Sequence, residues 1–166
     1  MGLFTPETYV DSIFEITPAF MKARGLSALL VDIDDTLSAH GELTPSEEVA
    51  AWAGALKDAG YPLVAFSNNH EERVAPFAES LGIPFVFEAG KPLPGRYAEA
   101  LKTIGFGKKQ VAMVGDQIFT DMLGANLAGI RSVLVLTEER SVYGFTRFKR
   151  VVERMIVSKL KRRAKA

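Results

Sequence analysis

The sequence predicts an α/β fold in which a doubly wound parallel sheet of about five strands carries helices on both faces. Three observations predict it. Short, nearly continuous apolar runs recur along the chain, as strands buried on both faces do. Between successive runs lie segments with helical spacing and helical stop signals, the crossovers that parallel strands require. Acidic, hydroxyl and amide side chains stand directly after those runs, at the strand ends where open α/β sheets gather their ligands.

The elements follow in order. Residues 6–25 form an amphipathic opening, and the first strand is expected over 29–33. Thr44-Pro45-Ser46-Glu47 reads as a helix start, with Thr44 at the N-cap, Pro45 at the first helical position and Glu47 three residues past the cap. Val49, Trp52, Ala53 and Leu56 share one face of that helix, which should stop near Gly60. Trp52 is expected in the core. Strand 63–66, helix 71–81, strand 84–87, helix 94–104, strand 111–115, helix 119–128 and strand 132–136 continue the alternation, with Gly105 and Gly129 ending the last two of these helices. His40 and His70 are not spaced as a metal pair and read as loop residues. A final helix is expected over 147–161. No repeat, low-complexity tract or linker marks a second domain. Residues 1–146 are therefore expected to form one domain, and residues 147–166 a basic amphipathic C-terminal helix that is part of it or appended to it.

Composition narrows the chemistry. The 166 residues contain no cysteine, which excludes disulfides, thiolate metal sites and cysteine nucleophiles. The N-terminus has neither a basic region nor a long apolar stretch, so no signal peptide is expected, and Pro6 stands where a myristoylation motif wants Ser or Thr. No apolar run is long enough to span a bilayer. The expectation is a cytoplasmic protein. Twenty Lys and Arg balance twenty Asp and Glu, but the balance is uneven along the chain. Residues 147–166 hold nine Lys and Arg against one acid, Glu153, leaving the body acidic by the same amount. That segregation points to an anionic partner. Phe148, Val152, Met155, Ile156 and Leu160 recur at helical spacing among these cations, as on a helix lying against an anionic membrane or docked on its own domain. No aromatic stacking surface accompanies the charge, so nucleic acid is not the expected partner.

The chemistry concentrates at four strand ends. Asp32 and Asp34 follow the first strand two residues apart, so they share a face of an extended segment, and Thr36 follows them. Ser67, Asn68 and Asn69 follow the second strand, Lys91 the third, and Asp116 and Asp121 the fourth. Carboxylates at the end of a buried strand are costly unless paired or bound to metal, and all-oxygen clusters suit Mg²⁺. Parallel strands bring these groups to one edge of the sheet. Carboxylates, a hydroxyl, an ammonium and backbone amides are what phosphoryl transfer needs. Asp116 also suits a helix N-cap, and Asn68 and Asn69 suit a turn.

Asp32-Ile33-Asp34-Asp35-Thr36, Ser67, Lys91 and Gly115-Asp116-Gln117-Ile118-Phe119-Thr120-Asp121 resemble the four motifs of the haloacid dehalogenase (HAD) superfamily phosphatases, in the same order. The stretch from Gly115 to Gly129, the opening segment and the Arg-rich close are similar to the YqeG-like bacterial subfamily, so the resemblance covers most of the chain. One departure is Asp35, where that subfamily more often has Asn. The resemblance implies a Rossmann-like sheet and an aspartyl-phosphate mechanism. Asp32 would be the nucleophile and a Mg²⁺ ligand, ionised at neutral pH on its ordinary pKa of about 3.9. Asp34 would be general acid and then general base, with its backbone carbonyl on the metal. Asp116 would complete the metal ligands, and Asp121 would support that shell or orient Lys91. Thr36, Ser67, Asn68 and Lys91 would bind the phosphoryl group.

Phosphatases of this class usually select substrates with an inserted cap domain. Here the interval 37–66 holds one loop and one helix, and 68–90 one helix and one strand, so no cap domain is expected; the loop 37–43 suffices for a small flap. A capless site suits a phosphate carried by a large molecule, and the subfamily is similar to phosphatases proposed to act on phosphatidylglycerophosphate. A membrane-peripheral location on the inner face would fit. Two alternatives stand beside this reading: an aspartyl-phosphate receiver or binding module without turnover, and a small-molecule phosphatase capped by oligomerisation. Receivers phosphorylate an Asp after the third strand, whereas Lys91 stands there and Asp32 pairs with Asp34.

Overall fold

A computed structural model describes residues 2–38 and 42–136. Six parallel strands form one sheet: β1 (Thr8–Val10), β2 (Ala28–Val31), β3 (Leu63–Phe66), β4 (Phe85–Val86), β5 (Val111–Gly115) and β6 (Arg131–Val135). Their order across the sheet is β1-β6-β5-β2-β3-β4. Helices α1 (Pro18–Ala23), α2 (Glu47–Asp58), α3 (Glu71–Ser80), α4 (Gly95–Ile104) and α5 (Leu123–Ala128) connect them.

The sheet is buried on both sides because successive strand residues are apolar and point to opposite faces. Leu29, Val31, Leu63, Ala65, Ala112 and Val114 face a core completed by Val49, Trp52 and Leu56 of α2 and Val74 and Phe77 of α3. Ala28, Leu30, Val64, Phe66 and Met113 face the opposite core, completed by Tyr97, Ala100 and Ile104 of α4 and Ala125 and Ala128 of α5. Helices therefore cover both faces, as the βαβ alternation predicts. Trp52 is buried and its Nε1 donates to the Ile16 carbonyl at 3.0 Å.

Four local differences from the sequence reading stand out. The sixth strand, β1, pairs with β6 at the sheet edge, Thr8 opposite Val133. Three residues, Thr-Tyr-Val, are too few to show a period, so the amphipathic opening conceals it. The N-cap of α2 is Ser46, whose hydroxyl accepts from the Val49 N–H at 3.2 Å, two residues beyond Thr44. Strand β2 ends at Val31, which leaves Asp32 and Ile33 in the following loop. The expected helix over 119–128 starts with a π-helical turn, Ile118–Met122, before α5.

The described residues between β2 and β3 form a loop and α2, and those between β3 and β4 form α3, and neither interval is long enough for an inserted cap domain. Among the described residues no helix is long and apolar enough to cross a membrane. His40, part of the 37–43 loop and the whole expected C-terminal helix lie outside the described residues. His70 is exposed, forms the N-cap position of α3 and contacts Glu88 at 2.7 Å.

Candidate active site

The C-terminal ends of β2, β3, β4 and β5 lie side by side, and each delivers one part of the constellation. Asp32 follows β2, and its backbone N–H continues the ladder by donating to the Val114 carbonyl at 2.9 Å. Asp34 and Asp35 form a tight turn in which the Asp35 N–H donates to the Ser38 carbonyl at 2.8 Å. Asp35 has φ +59°, a left-handed conformation that Asn and Asp tolerate better than most residues. Thr36 is buried and its hydroxyl is directed at Asp116 Oδ1, at 3.5 Å.

At the end of β3, Ser67 is almost fully buried, and its hydroxyl oxygen accepts from the Asn69 N–H at 3.2 Å. The Asn68 side chain brackets Lys91: Oδ1 accepts from the Lys91 N–H at 2.7 Å and Nδ2 donates to the Lys91 carbonyl at 3.0 Å. The bracket joins the loops after β3 and β4 and fixes the backbone from which Lys91 reaches inward. Lys91 Nζ then donates to Asp32 Oδ1 and Asp121 Oδ1, each at 2.7 Å.

Asp121 is completely buried, and its second oxygen accepts from the Gln117 N–H at 3.1 Å. The π-helical turn brings it back against the end of β5. Gly115 makes room for it: a Cβ there would lie 2.8 Å from Asp121 Cβ.

One carboxylate oxygen each from Asp32, Asp116 and Asp121 lies within 4.8 Å of the others, a set able to hold a metal ion. This carboxylate trio includes Asp121, whereas the sequence reading combines Asp32, the Asp34 carbonyl and Asp116. Crowding carboxylates in a buried place has an electrostatic consequence. Burial, opposed by Lys91 and reinforced by Asp121 and Asp34, pushes Asp32 up to about 7. Burial, with Asp121, Asp32 and Asp35, pushes Asp116 up to about 8. Burial thus moves Asp32 upward from the ordinary carboxylate value of about 3.9, while its ion pair with Lys91 pulls it back down. Burial disfavours the Lys91 charge, but Asp121 and Asp32 more than compensate and hold its pKa above the ordinary lysine value.

The structure also gathers residues to which the sequence reading gave no role. Arg73, from the first turn of α3, donates through Nη2 to Asp34 Oδ1 at 2.8 Å and to Ser38 Oγ at 3.2 Å. The Asn69 amide donates to Asp34 Oδ2. No local signal singles out Arg73, because Glu71 and Glu72 in the same turn already offset its charge against the macrodipole. Tyr97, on α4, is buried with its ring centroid 4.5 Å from that of Phe66, and among the described residues its hydroxyl has no hydrogen-bond partner.

Carboxylates, a lysine and a serine meeting at one edge of a parallel sheet form a site suited to phosphoryl chemistry. Comparison with known proteins makes the class definite. The family model for haloacid dehalogenase-like hydrolases matches residues 6–129. The "Probable phosphatase YqeG" of Bacillus subtilis (strain 168) is 37% identical over 160 residues, spanning 96% of this chain and 93% of that one. "Phosphatidylglycerophosphate phosphatase 1, chloroplastic" of Chlamydomonas reinhardtii is 31% identical over 163 residues, spanning 92% of this chain and 61% of that protein. Among solved structures, the cobalt-bound deoxy-D-mannose-octulosonate 8-phosphate phosphatase of Haemophilus influenzae shares the fold, with a TM-score of 0.55 at 18% identity, over 82% of this chain and 90% of that one. The chain belongs to the haloacid dehalogenase-like hydrolases. It is an enzyme of the phosphomonoester hydrolase class.

Proposed function

We propose that this enzyme is a Mg²⁺-dependent phosphatase that works through an aspartyl-phosphate on Asp32 and accepts a phosphate carried by a large molecule, with phosphatidylglycerophosphate the leading candidate. The observation that carries the catalytic reading is Lys91 ion-paired to both Asp32 and Asp121 beside Asp116. In the first step an Asp32 carboxylate oxygen forms a bond to phosphorus. The bond from phosphorus to the leaving oxygen breaks, and that oxygen takes a proton from the Asp34 carboxyl group. In the second step a water oxygen bonds to phosphorus and its proton passes to Asp34. The Asp32–phosphorus bond breaks, releasing inorganic phosphate and restoring both carboxyl groups. Lys91, with Ser67 and Thr36, binds the phosphoryl oxygens and offsets their charge.

The donor set fits Mg²⁺: it is all oxygen, and a divalent cation would offset the burial, and the neighbouring carboxylates, that raise Asp32 and Asp116. Asp32, Asp116 and the Asp34 carbonyl would hold the ion, with Asp121 in support. When bound, it would neutralise charge on the transferring phosphoryl group.

The short intervals between motifs support a macromolecular or lipid substrate, since they leave no room for an inserted cap domain. The name of the Chlamydomonas relative supports the lipid reading. Residues 147–166, with nine cations, would hold the enzyme on anionic bilayers at the cytoplasmic face, each cation near the surface contributing on the order of 1 kcal/mol.

Hydrolysis of 4-nitrophenyl phosphate should require Mg²⁺, be inhibited by Ca²⁺ and vanish in excess chelator. Asp32→Asn should abolish turnover and leave no acid-trapped phosphoenzyme. Full activity in chelator overturns the metal assignment, and a labelled Asp32→Asn protein overturns the nucleophile. Phosphatidylglycerophosphate in mixed micelles should be cleaved with a higher kcat/KM than small sugar or nucleotide phosphates. Truncation after Gly144 should weaken co-sedimentation with anionic liposomes while sparing aryl phosphate turnover. Equal binding of the two forms removes the membrane role.

A further inference from the structure

We infer that Arg73 and Asn69 are positioning residues that orient the Asp34 carboxylate to take the proton of the water attacking the phosphoenzyme, so that the corner between β3 and α3 sets the rate at which the phosphoenzyme breaks down. The inference rests on the role given to Asp34 above.

Both carboxylate oxygens of Asp34 are held, each by a different residue. Arg73 Nη2 takes Oδ1 at 2.8 Å, and the Asn69 amide takes Oδ2. Two donors on two oxygens fix the plane of the carboxyl group, which one bond cannot do. The donors are themselves fixed. The Asn69 N–H is held by Ser67 Oγ at 3.2 Å, and the Asn69 carbonyl accepts from the Glu88 N–H at 2.9 Å. The Arg73 guanidinium bonds Ser38 at 3.2 Å and lies 5.6 Å from the centre of the Phe77 ring.

The arrangement is a poor way to gain stability. The Arg73 and Asp34 side chains are 16% and 12% exposed, so both charges lose most of their water. Arg–carboxylate pairs are frequently bidentate, yet Arg73 gives Asp34 one nitrogen, and its Nη1 has no partner among the described residues. The second oxygen goes to Asn69 instead. What the geometry secures is direction.

The two chemical steps can be separated with 4-nitrophenyl phosphate. In the first, the bond from Asp32 to phosphorus forms and the aryl–oxygen bond to phosphorus breaks; nitrophenolate departs with the electron pair and needs no proton. In the second, water attacks, its proton goes to Asp34 and the bond to Asp32 breaks. A misdirected Asp34 therefore slows only the second step.

Arg73→Met should lower kcat and KM together, by about ten- to a hundredfold, leaving kcat/KM within about threefold of the wild type. A nitrophenolate burst close to one per enzyme should precede the slow phase, and acid quenching should trap more phosphoenzyme than in the wild type. Arg73→Lys should recover part of kcat. Asn69→Ala, which leaves the guanidinium in place, should give the same pattern and carries the test if Arg73→Met does not fold. A burst that shrinks in step with kcat at constant KM means fewer folded sites and overturns the inference. A raised KM at constant kcat overturns it too, because Arg73 would then be binding substrate. If Asp34→Asn turns over at the wild-type rate, the failure lies with the role of Asp34, and the inference falls with it.

Discussion

Tyr97 shows how closely the residues behind the site are fitted. Its ring packs on Phe66, and its buried hydroxyl has no partner among the described residues. Burial, with repulsion from Asp121, keeps that hydroxyl protonated well above the ordinary tyrosine range. An unpaired buried hydroxyl is a cost, so Tyr97→Phe should leave stability unchanged or raise it by up to about 1 kcal/mol in urea denaturation. A loss of more than about 2 kcal/mol would reveal a bonded water or other hidden partner. At this scale the sequence discloses identity better than orientation. Asp32, Ser67, Lys91, Asp116 and Asp121 are legible because each follows a strand. Asn68 is legible as a turn residue, but its grip on the Lys91 backbone depends on the distance between two loops, which no local pattern records. Arg73 was not legible, because Glu71 and Glu72 share its turn and its partner Asp34 is distant in sequence.

At the scale of elements, the junction between β5 and α5 is the least forgiving. Gly115 closes the strand, the π-helical turn follows, and Asp121 folds back over the glycine. Gly115→Ala should push the Asp121 carboxylate off Lys91. We expect a loss of about 1–3 kcal/mol in stability and a fall of at least about tenfold in aryl phosphatase kcat. A variant with wild-type kcat would show that Asp121 has room to move. The alternation of strands and helices was legible because its apolar runs are long enough to declare a period. The π-helical turn was not, since over five residues its spacing of side chains is too close to that of an α-helix to separate. Strand β1 was hidden for a similar reason, being three residues long at an edge. The cap at Ser46 instead of Thr44 reflects two competing hydroxyls around one proline, and the choice depends on how the preceding loop arrives.

At the scale of the whole molecule, the acidic site couples folding to pH and to metal. Asp32 and Asp116, raised to about 7 and about 8, return to about 3.9 when the chain unfolds. Between these values the folded protein keeps protons that the unfolded chain has released. Stability of the metal-free protein should therefore fall as pH rises from about 4 to about 8. A divalent cation favours the ionised carboxylates and reverses that loss. In chelator, Tm should be lower at about pH 8 than at about pH 5, and Mg²⁺ should raise Tm more at the higher pH. An equal Mg²⁺ effect at both would place the ion elsewhere.

The order of the strands also gives the two halves of the site different lifetimes. Asp32 and Asp116 extend from β2 and β5, which lie inside the sheet with neighbours on both sides. Lys91 hangs from β4, two residues at the margin, tied back by the Asn68 bracket and by the Ala89 N–H donating to the Ser67 carbonyl at 2.9 Å. Deuterium should thus enter the Ala89 and Lys91 amides through local openings, long before it reaches those of Leu30 and Met113, which wait for the domain to unfold. Under mild urea the enzyme should fall silent while its circular dichroism is still native. Its ammonium would have left the carboxylates, and diluting the urea should return activity without refolding the sheet.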